Sequence, residues 1–536
     1  MLTRGLPRAE ITCASALGAR HKGMAMAPGA TPRADFPFGD LSFGGLGGEQ
    51  ALRKLGEFID AAYHAGNREA LQHALARVGS LRGAASPACV ELCDFFEANA
   101  WRGLRLLNYQ AGQDSWTWNQ APLEHEVVCL RRALTGQRYG ELPLHRRLQI
   151  LTNLGNLMSQ LGRTVEALEY FDKAIDDDAQ FGMSVGNRGM CFLYYSNLHY
   201  DVSQQAILRG AARNDLARAL TLPLEAPAQK VFSSALEQLD SHGAGRGLAA
   251  FALDEADLGT SEESIYRHWS LEQRLFLNPL NDLGLRMIAA KDVLQLPELV
   301  VDTAIGTTLH GFFNQLKQEF VAARWLAFEA VCPSPASLAA ERIANGDLGL
   351  VDARDGARFG LRLEKMKLAF RAAYSIVDKT AVFVNAFFGL GAPAHRVTLR
   401  SVWYEDTDPK TGRIHSKLEQ SNLPLRGLYW LSKDFVETSV TYVSAMEPEA
   451  QDVAIIRNRL EHQYLRITEQ PRTYERDVGF SVSTELMTKR TMRLLRSARA
   501  ALIYLVFAVH AQQRAQASSN RNVAATERLQ QLNSEP

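Results

Sequence analysis

The chain has 536 residues, enough for two or three domains that each bury a core. Hydrophobic residues make up 46% and charged residues 22%, which excludes a disordered or fibrous chain. Lysine plus arginine equals aspartate plus glutamate at 59 each, which excludes a whole-molecule basic field, so a nucleic-acid partner would have to meet a local patch.

Residues 1–48 are rich in Gly, Ala and Pro and end in Phe43-Gly44-Gly45-Leu46-Gly47-Gly48, so they are expected to form a disordered leader. The glycines lack a flanking strand and a Lys-Ser/Thr pair, so they are not read as a phosphate loop. Arg4, Arg8 and Arg20 lack the apolar run of a signal peptide. From 49 to 255 the texture is helical. Leu52, Leu55, Phe58 and Ile59 form one stripe, Leu71, Leu75 and Val78 a second, and Phe95, Phe96, Ala100, Leu104 and Leu107 a third. Trp116 and Trp118 are expected as half-buried anchors. Cys89 and Cys93 sit four apart with no companion pair at zinc spacing, so all six cysteines are read as reduced, no metal is expected, and the setting is cytoplasmic.

Around 148–193 the residues Gly155, Met158, Gly162, Ala167, Phe171 and Ala174 alternate small and large, as in paired helices that approach closely. Gly189 follows Gly155 at the 34-residue period of the tetratricopeptide repeat (TPR), which this stretch resembles, although Ala179 stands where the repeat usually ends in proline. Such arrays present a surface to a protein or peptide partner. Near 260 a second unit begins with the segment Trp269 to Asp282, in which Asn278-Pro279 is a turn signal and Asn281 or Asp282 a cap, read first as structural and second as lining a site. Helical runs are expected over 299–331, 358–390 and 427–443, with a polar insertion at 391–425 containing Trp403, Tyr404, Pro409 and Gly412. Pro448 is expected to open the penultimate helix and Ser483 to cap a last one running to about 514, with 515–536 a flexible tail. Its apolar stretch Ala498–Ala511 is interrupted by Arg499 and falls short of the ~18 residues of a membrane span, so no membrane is expected.

The penultimate helix carries Arg457-Asn458-Arg459-Leu460-Glu461-His462-Gln463-Tyr464. On a helix Arg457 and His462 are about 140° apart, within reach of a long guanidinium stem, and Asn458 shares a face with His462. A cation, an amide and an imidazole together suit an RNA phosphate and proton transfer at its neighbouring hydroxyl. An exposed amphipathic helix with a chance histidine would have the same spacing. Lys489, Arg493 and Arg496 fall at i, i+4 and i+7 on the last helix, flanked by Arg490 and Arg499; this strip could neutralise RNA phosphates or be a solvated face. His510 is expected in the core.

The Arg-x4-His pattern, with Asn458 after the arginine and Tyr464 completing Arg-x4-His-x-Tyr, resembles the signature of the HEPN superfamily (higher eukaryotes and prokaryotes nucleotide-binding). With the TPR-like front half it is similar to one bacterial HEPN subfamily. The resemblance implies an all-α protein, a TPR-like α-solenoid at 49–255 followed by a four- to five-helix HEPN bundle at 260–514. It further implies a cofactor-free, metal-independent endoribonuclease of toxin or antiphage type, acting as a homodimer with a composite site. His462 would move protons, Arg457 would bind the scissile phosphate and Asn458 would orient one of them. Tyr464 would either be modified by an antitoxin or be a bundle tyrosine. The competing reading is a non-catalytic TPR/HEPN scaffold that binds partners or nucleotide.

Overall fold

A computed structural model describes residues 48–84, 89–241, 258, 262–299, 303–351, 355–407, 412–418, 421–435, 447, 449–469 and 479–519. The leader with Cys13, the Gly243 turn, Val443, Pro448 and most of the tail therefore lie outside the described residues. What is described is almost wholly helical, as the sequence predicts.

The chain divides into two compact units whose boundaries interleave. The first is built from α1 (Gly48–His64), α2 (Arg68–Ala84), α3 (Val90–Gln110) and α4 (Ala121–Thr135), from parts of α5 (Leu144–Gln160), α6 (Thr164–Asp177), α7 (Gly182–Leu198) and α8 (Val202–Ala219), and from α9 (Ala226–Ser241). The predicted stripes face inward: Leu52, Leu55, Phe58, Ile59, Leu71 and Val78 are buried, while Leu75 is half-buried and Ala74 takes the buried place beside it. Trp118 is fully buried, beyond the half-burial expected. Cys89, Cys93, Cys129 and Cys191 are buried free thiols. The small-against-large packing is present, because a Cβ on Gly155 would lie 2.5 Å from the Phe171 ring and one on Gly186 would lie 2.1 Å from Phe232. Arg188 ties the helices together by bonding Asp172 and Asp215, each at 2.7 Å.

The second unit takes in residues 158–166 and 194–210 together with everything from 245 onward. Two short pieces of the front half thus belong to this unit by contact. Its helices are α10 (Glu262–Glu272), α11 (Thr303–Val331), α12 (Pro335–Gly346), α13 (Leu361–Phe387), α14 (Leu423–Ser432), α15 (Ala450–His462) and α16 (Thr484–Ser519). Helices α11, α13 and α16 pack on one another, and α14 and α15 lie against this core. Helix α16 is the one described helix long and apolar enough to cross a membrane, but 78% of its apolar window is buried inside the protein, the condition of a core helix.

Several expectations are corrected. The run from 299 to 331 is followed by α12, signalled by Ser334 as cap and Pro335 at the first helical position. The segment expected as a helix over 427–443 starts earlier, at Leu423, where Asn422 accepts from the Leu425 amide at 3.1 Å, and it ends at Ser432. The 391–425 insertion is far from polar throughout. Trp403 and Tyr404 are buried against Tyr429, and Tyr404 pairs with Ile414 as a minimal hairpin. Ser483 does cap α16, accepting from the Leu486 amide at 3.0 Å.

The largest departure adjoins the motif. Helix α15 stops at His462, and Tyr464–Thr468 (β1) pairs in parallel with Gly479–Ser483 (β2) in the register Tyr464↔Gly479 to Thr468↔Ser483. Tyr-Leu-Arg-Ile-Thr is a short β-branched and aromatic run that favours a strand. The amide of Arg358 donates to the Ile467 carbonyl at 2.7 Å, covering the other edge of β1.

Candidate functional site

Helix α15 buries Ala450, Val453, Ala454, Ile456 and Leu460 against the bundle. That face leaves Arg457 and Asn458 half-buried and Glu461 and His462 exposed. The helix is held at both ends. At its start, Glu449 binds Arg490 and also Arg493, the latter at 2.8 Å, while Asp452 binds Arg490 at 2.6 Å and Glu447 binds Arg493. Carboxylates suit the positive end of a helix dipole, and here each also has a guanidinium fork. Burial works to raise the Glu449 carboxyl, but Arg490 and Arg493 outweigh it and hold it below the usual carboxylate range. At its end, Arg371 of α13 donates to the Leu460 carbonyl and lies 3.4 Å from Glu461. The Gln463 amide closes the last turn on the Arg459 carbonyl at 3.0 Å.

Arg457 lies over the ring of Tyr374, 5.3 Å from Cζ to the centroid, a cation–π contact. Among the described residues it has no ion-pair partner. Arg457 and Tyr374 line a cleft of ≈ 340 Å³ between α13 and α15, together with Arg371, Ser375, Asp378, Lys379, Val382, Val397, Thr398 and Glu461. Of its other cations, Lys379 is bound to Glu319 at 2.6 Å and Arg371 is engaged with the end of α15. His462 is outside this lining. It stands exposed at the last position of the helix and makes no hydrogen bond among the described residues. The structure thus keeps Arg457, Asn458 and His462 on one short helix, with the guanidinium in a cleft and the imidazole in solvent.

Tyr464 is on β1, so the expected continuation of the helix through it is corrected. Its hydroxyl donates to Asp355 at 3.1 Å, and the ring is 39% exposed, against the reading of a buried bundle tyrosine. Partial burial and the Asp355 carboxylate raise the Tyr464 hydroxyl above the ordinary tyrosine range. Asp355 in turn is held low by the Ala357 amide and by that hydroxyl.

The basic strip is partly spoken for. Arg493 is ion-paired, Lys489 is 67% exposed with Glu449 3.8 Å away, and Arg496 is half-buried. The flanking Arg490 and Arg499 are buried, which corrects their reading as flanks of a solvent-facing strip. Arg499 bonds Asp282 at 2.7 Å and the carbonyls of Phe276 and Asn278 at 2.6 and 2.8 Å. The polar residues Asn278, Asn281 and Asp282 are therefore structural, as read first. Asn278 accepts from the Leu280 amide at 3.0 Å, and Asn281 bridges the Phe276 amide and the Leu271 carbonyl.

The sequence reading missed Tyr374, Asp378 and Lys379. Their spacing with Arg371 and Val382 puts them on one face of α13, but that signal shows a mixed face without showing what it meets. Among the described residues no group of His, Cys, Asp and Glu is placed to hold a metal ion.

Residues 300–512 match the family model described as LA2681-like HEPN. No curated protein and no solved structure matches the chain.

Proposed function

We propose that residues 300–512, which match the LA2681-like HEPN family model, make the protein an endoribonuclease whose chemistry is carried by Arg457, Asn458 and His462. The observation that carries this reading is the motif's placement. Arg457 is half-buried in a cleft with no carboxylate partner among the described residues, and His462 stands free at the end of the same helix. A partly desolvated guanidinium without a counter-ion is poised for an anion, and a phosphodiester supplies one.

In this reading an imidazole accepts the ribose 2′-OH proton as that oxygen attacks phosphorus. The bond to the 5′-oxygen breaks, a protonated imidazole returns a proton to it, and a 2′,3′-cyclic phosphate and a 5′-hydroxyl result. Arg457 stabilises the charge gathering on the phosphoryl oxygens, and Asn458, four residues from His462, orients phosphate or imidazole. DNA lacks the attacking hydroxyl. One exposed His462 cannot act as base and acid at once, so the site is completed by a second copy whose motif faces the first.

The biological setting that fits is a cytoplasmic toxin or antiphage effector, with the front helices as a TPR-like array that senses a protein partner. The exposed Tyr464 is accessible to modification by an antitoxin. Lys489 and Arg496 add charge for RNA. The test is growth arrest and RNA cleavage on expression, compared with His462→Ala and Arg457→Ala. Both variants are expected to abolish cleavage while unfolding at the wild-type temperature. Equal behaviour of all three proteins would sink the ribonuclease reading and leave a binding scaffold.

A further inference from the structure

Resting on that reading, we infer that the cleft between α13 and α15 seats the nucleoside adjoining the scissile phosphate, with Tyr374 and Arg457 as its stacking surface. Three observations lead there. First, the cleft's cations are unequal: Lys379 is ion-paired with Glu319 and Arg371 with Glu461 at the end of α15, whereas Arg457 makes no ion pair among the described residues and lies over Tyr374. An anion is drawn to one place in it. Second, its walls suit what is attached to that anion. Tyr374 offers an aromatic ring, Val382 and Val397 offer apolar surface, and Ser375, Thr398 and Asp378 offer polar groups along one side. An unpaired base stacks on aromatic rings and on guanidinium planes, and here both surfaces line the same space. Third, the size decides how much enters. At ≈ 340 Å³ the cleft is at the low end of the roughly 300–1,000 Å³ of small-molecule sites, a size that suits one nucleoside.

The carboxylates bear on which base enters. Glu461 is engaged with Arg371, and Asp378, an acceptor that donates nothing when ionised, favours a base edge carrying N–H groups. Guanine, with adjacent ring N–H and exocyclic amine, meets a carboxylate better than uracil does. Tyr374 also abuts Phe435 edge-on at 6.0 Å, which holds its ring without drawing on Arg457. Tyr374 therefore has two tasks in this account, fixing the guanidinium and receiving the base.

The experiment uses the full chain carrying His462→Ala, so that RNA is bound and not cut, and a fluorescein-labelled ribo-oligonucleotide of mixed sequence. Binding is measured by anisotropy for this protein and for versions that add Tyr374→Phe or Tyr374→Leu. A series of oligonucleotides carries one abasic position each. The expected result is a single position at which removing the base weakens binding roughly ten-fold, the order of one base–aromatic stack. Tyr374→Leu is expected to weaken the intact oligonucleotide equally and to abolish the effect of that abasic position, while Tyr374→Phe preserves both. Equal losses for every abasic position, or an abasic effect unchanged by Tyr374→Leu, overturns the nucleoside seat. Competition by GMP as strong as by the oligonucleotide overturns it too, since the cleft would then be a free-nucleotide site. The underlying reading fails separately, if His462→Ala and Arg457→Ala leave cleavage intact. Tyr374 is half-buried, and circular dichroism of the leucine variant identifies a loss of fold.

Discussion

Replacing Arg499 with methionine separates a buried lock from a solvent-facing cation. The side chain is 1% exposed and its partner Asp282 0%. Methionine fills the space of the stem but leaves Asp282 with the Tyr195 hydroxyl, at 3.1 Å, in place of a guanidinium at 2.7 Å. It also strips the Phe276 and Asn278 carbonyls of the donors they now have. Removing one member of a buried pair costs about 3–5 kcal/mol, because the other charge stays behind without compensation. Against a total of roughly 5–15 kcal/mol, that is a large share of the stability of the second unit. At about 2–4 °C per kcal/mol, thermal unfolding should fall by roughly 6–20 °C, read by calorimetry. The double replacement Asp282→Leu with Arg499→Met removes both charges and should recover most of the loss. An exposed pair is worth about 1 kcal/mol or less, so a loss of that size, with no recovery in the double variant, would refute the buried-lock assignment.

Two further outcomes follow from buried groups of the same unit. His199 is buried beside Phe507, and burial pushes its imidazole down to about 4. Its folded value lies below the unfolded ~6.5, so the folded state resists protonation. Its contribution is therefore full above about 6.5 and is lost as pH falls toward 4, on the order of 3 kcal/mol. Denaturant midpoints across that window should drop, and His199→Gln should flatten the drop; an unchanged slope rejects the assignment. Gly162 has φ +84°, and a Cβ on it would lie 2.1 Å from the Leu423 carbonyl oxygen. Gly162→Ala should cost about 1–2 kcal/mol from the left-handed backbone alone and more from the clash, whereas Gly79→Ala, a helical glycine with open space around it, should be neutral or slightly stabilising. Similar unfolding temperatures for the two variants would count against the close approach.

The helical stripes were readable because they are local. Leu55, Phe58, Leu71 and Val78 repeat at helical spacing and all point into a core. Ser483 was readable for the same reason, since a cap acts three residues away. Arg457 and His462 could be singled out from their spacing and their resemblance to a family pattern. Their different surroundings could not be read, because Tyr374 comes from another helix. Arg499 shows the limit most plainly: a lone charge in an apolar run signals a buried partner, yet that partner lies far upstream on a turn at Asp282. Helix α15 was drawn too long because no glycine or proline stops it. A pairing with β2 ends it, and pairings between separated segments leave little trace in either one alone.

That pairing bears on how the motif withstands mutation. Only Gln463 separates His462 from β1, and β2 runs directly into α16. The ladder joining the two strands is made by main-chain groups, which every residue but proline supplies. Half-buried side chains such as Arg466, Phe480 and Ser481 can therefore drift over generations without moving the imidazole, whereas the buried Leu465, Ile467 and Val482 and the Ser483 cap are held by packing and by the helix they start. An inserted residue, a deleted residue or a proline within either strand would shift or break the register. Lineages that preserve the Arg457–His462 motif should show substitutions at the half-buried positions of these strands and almost no change in their length.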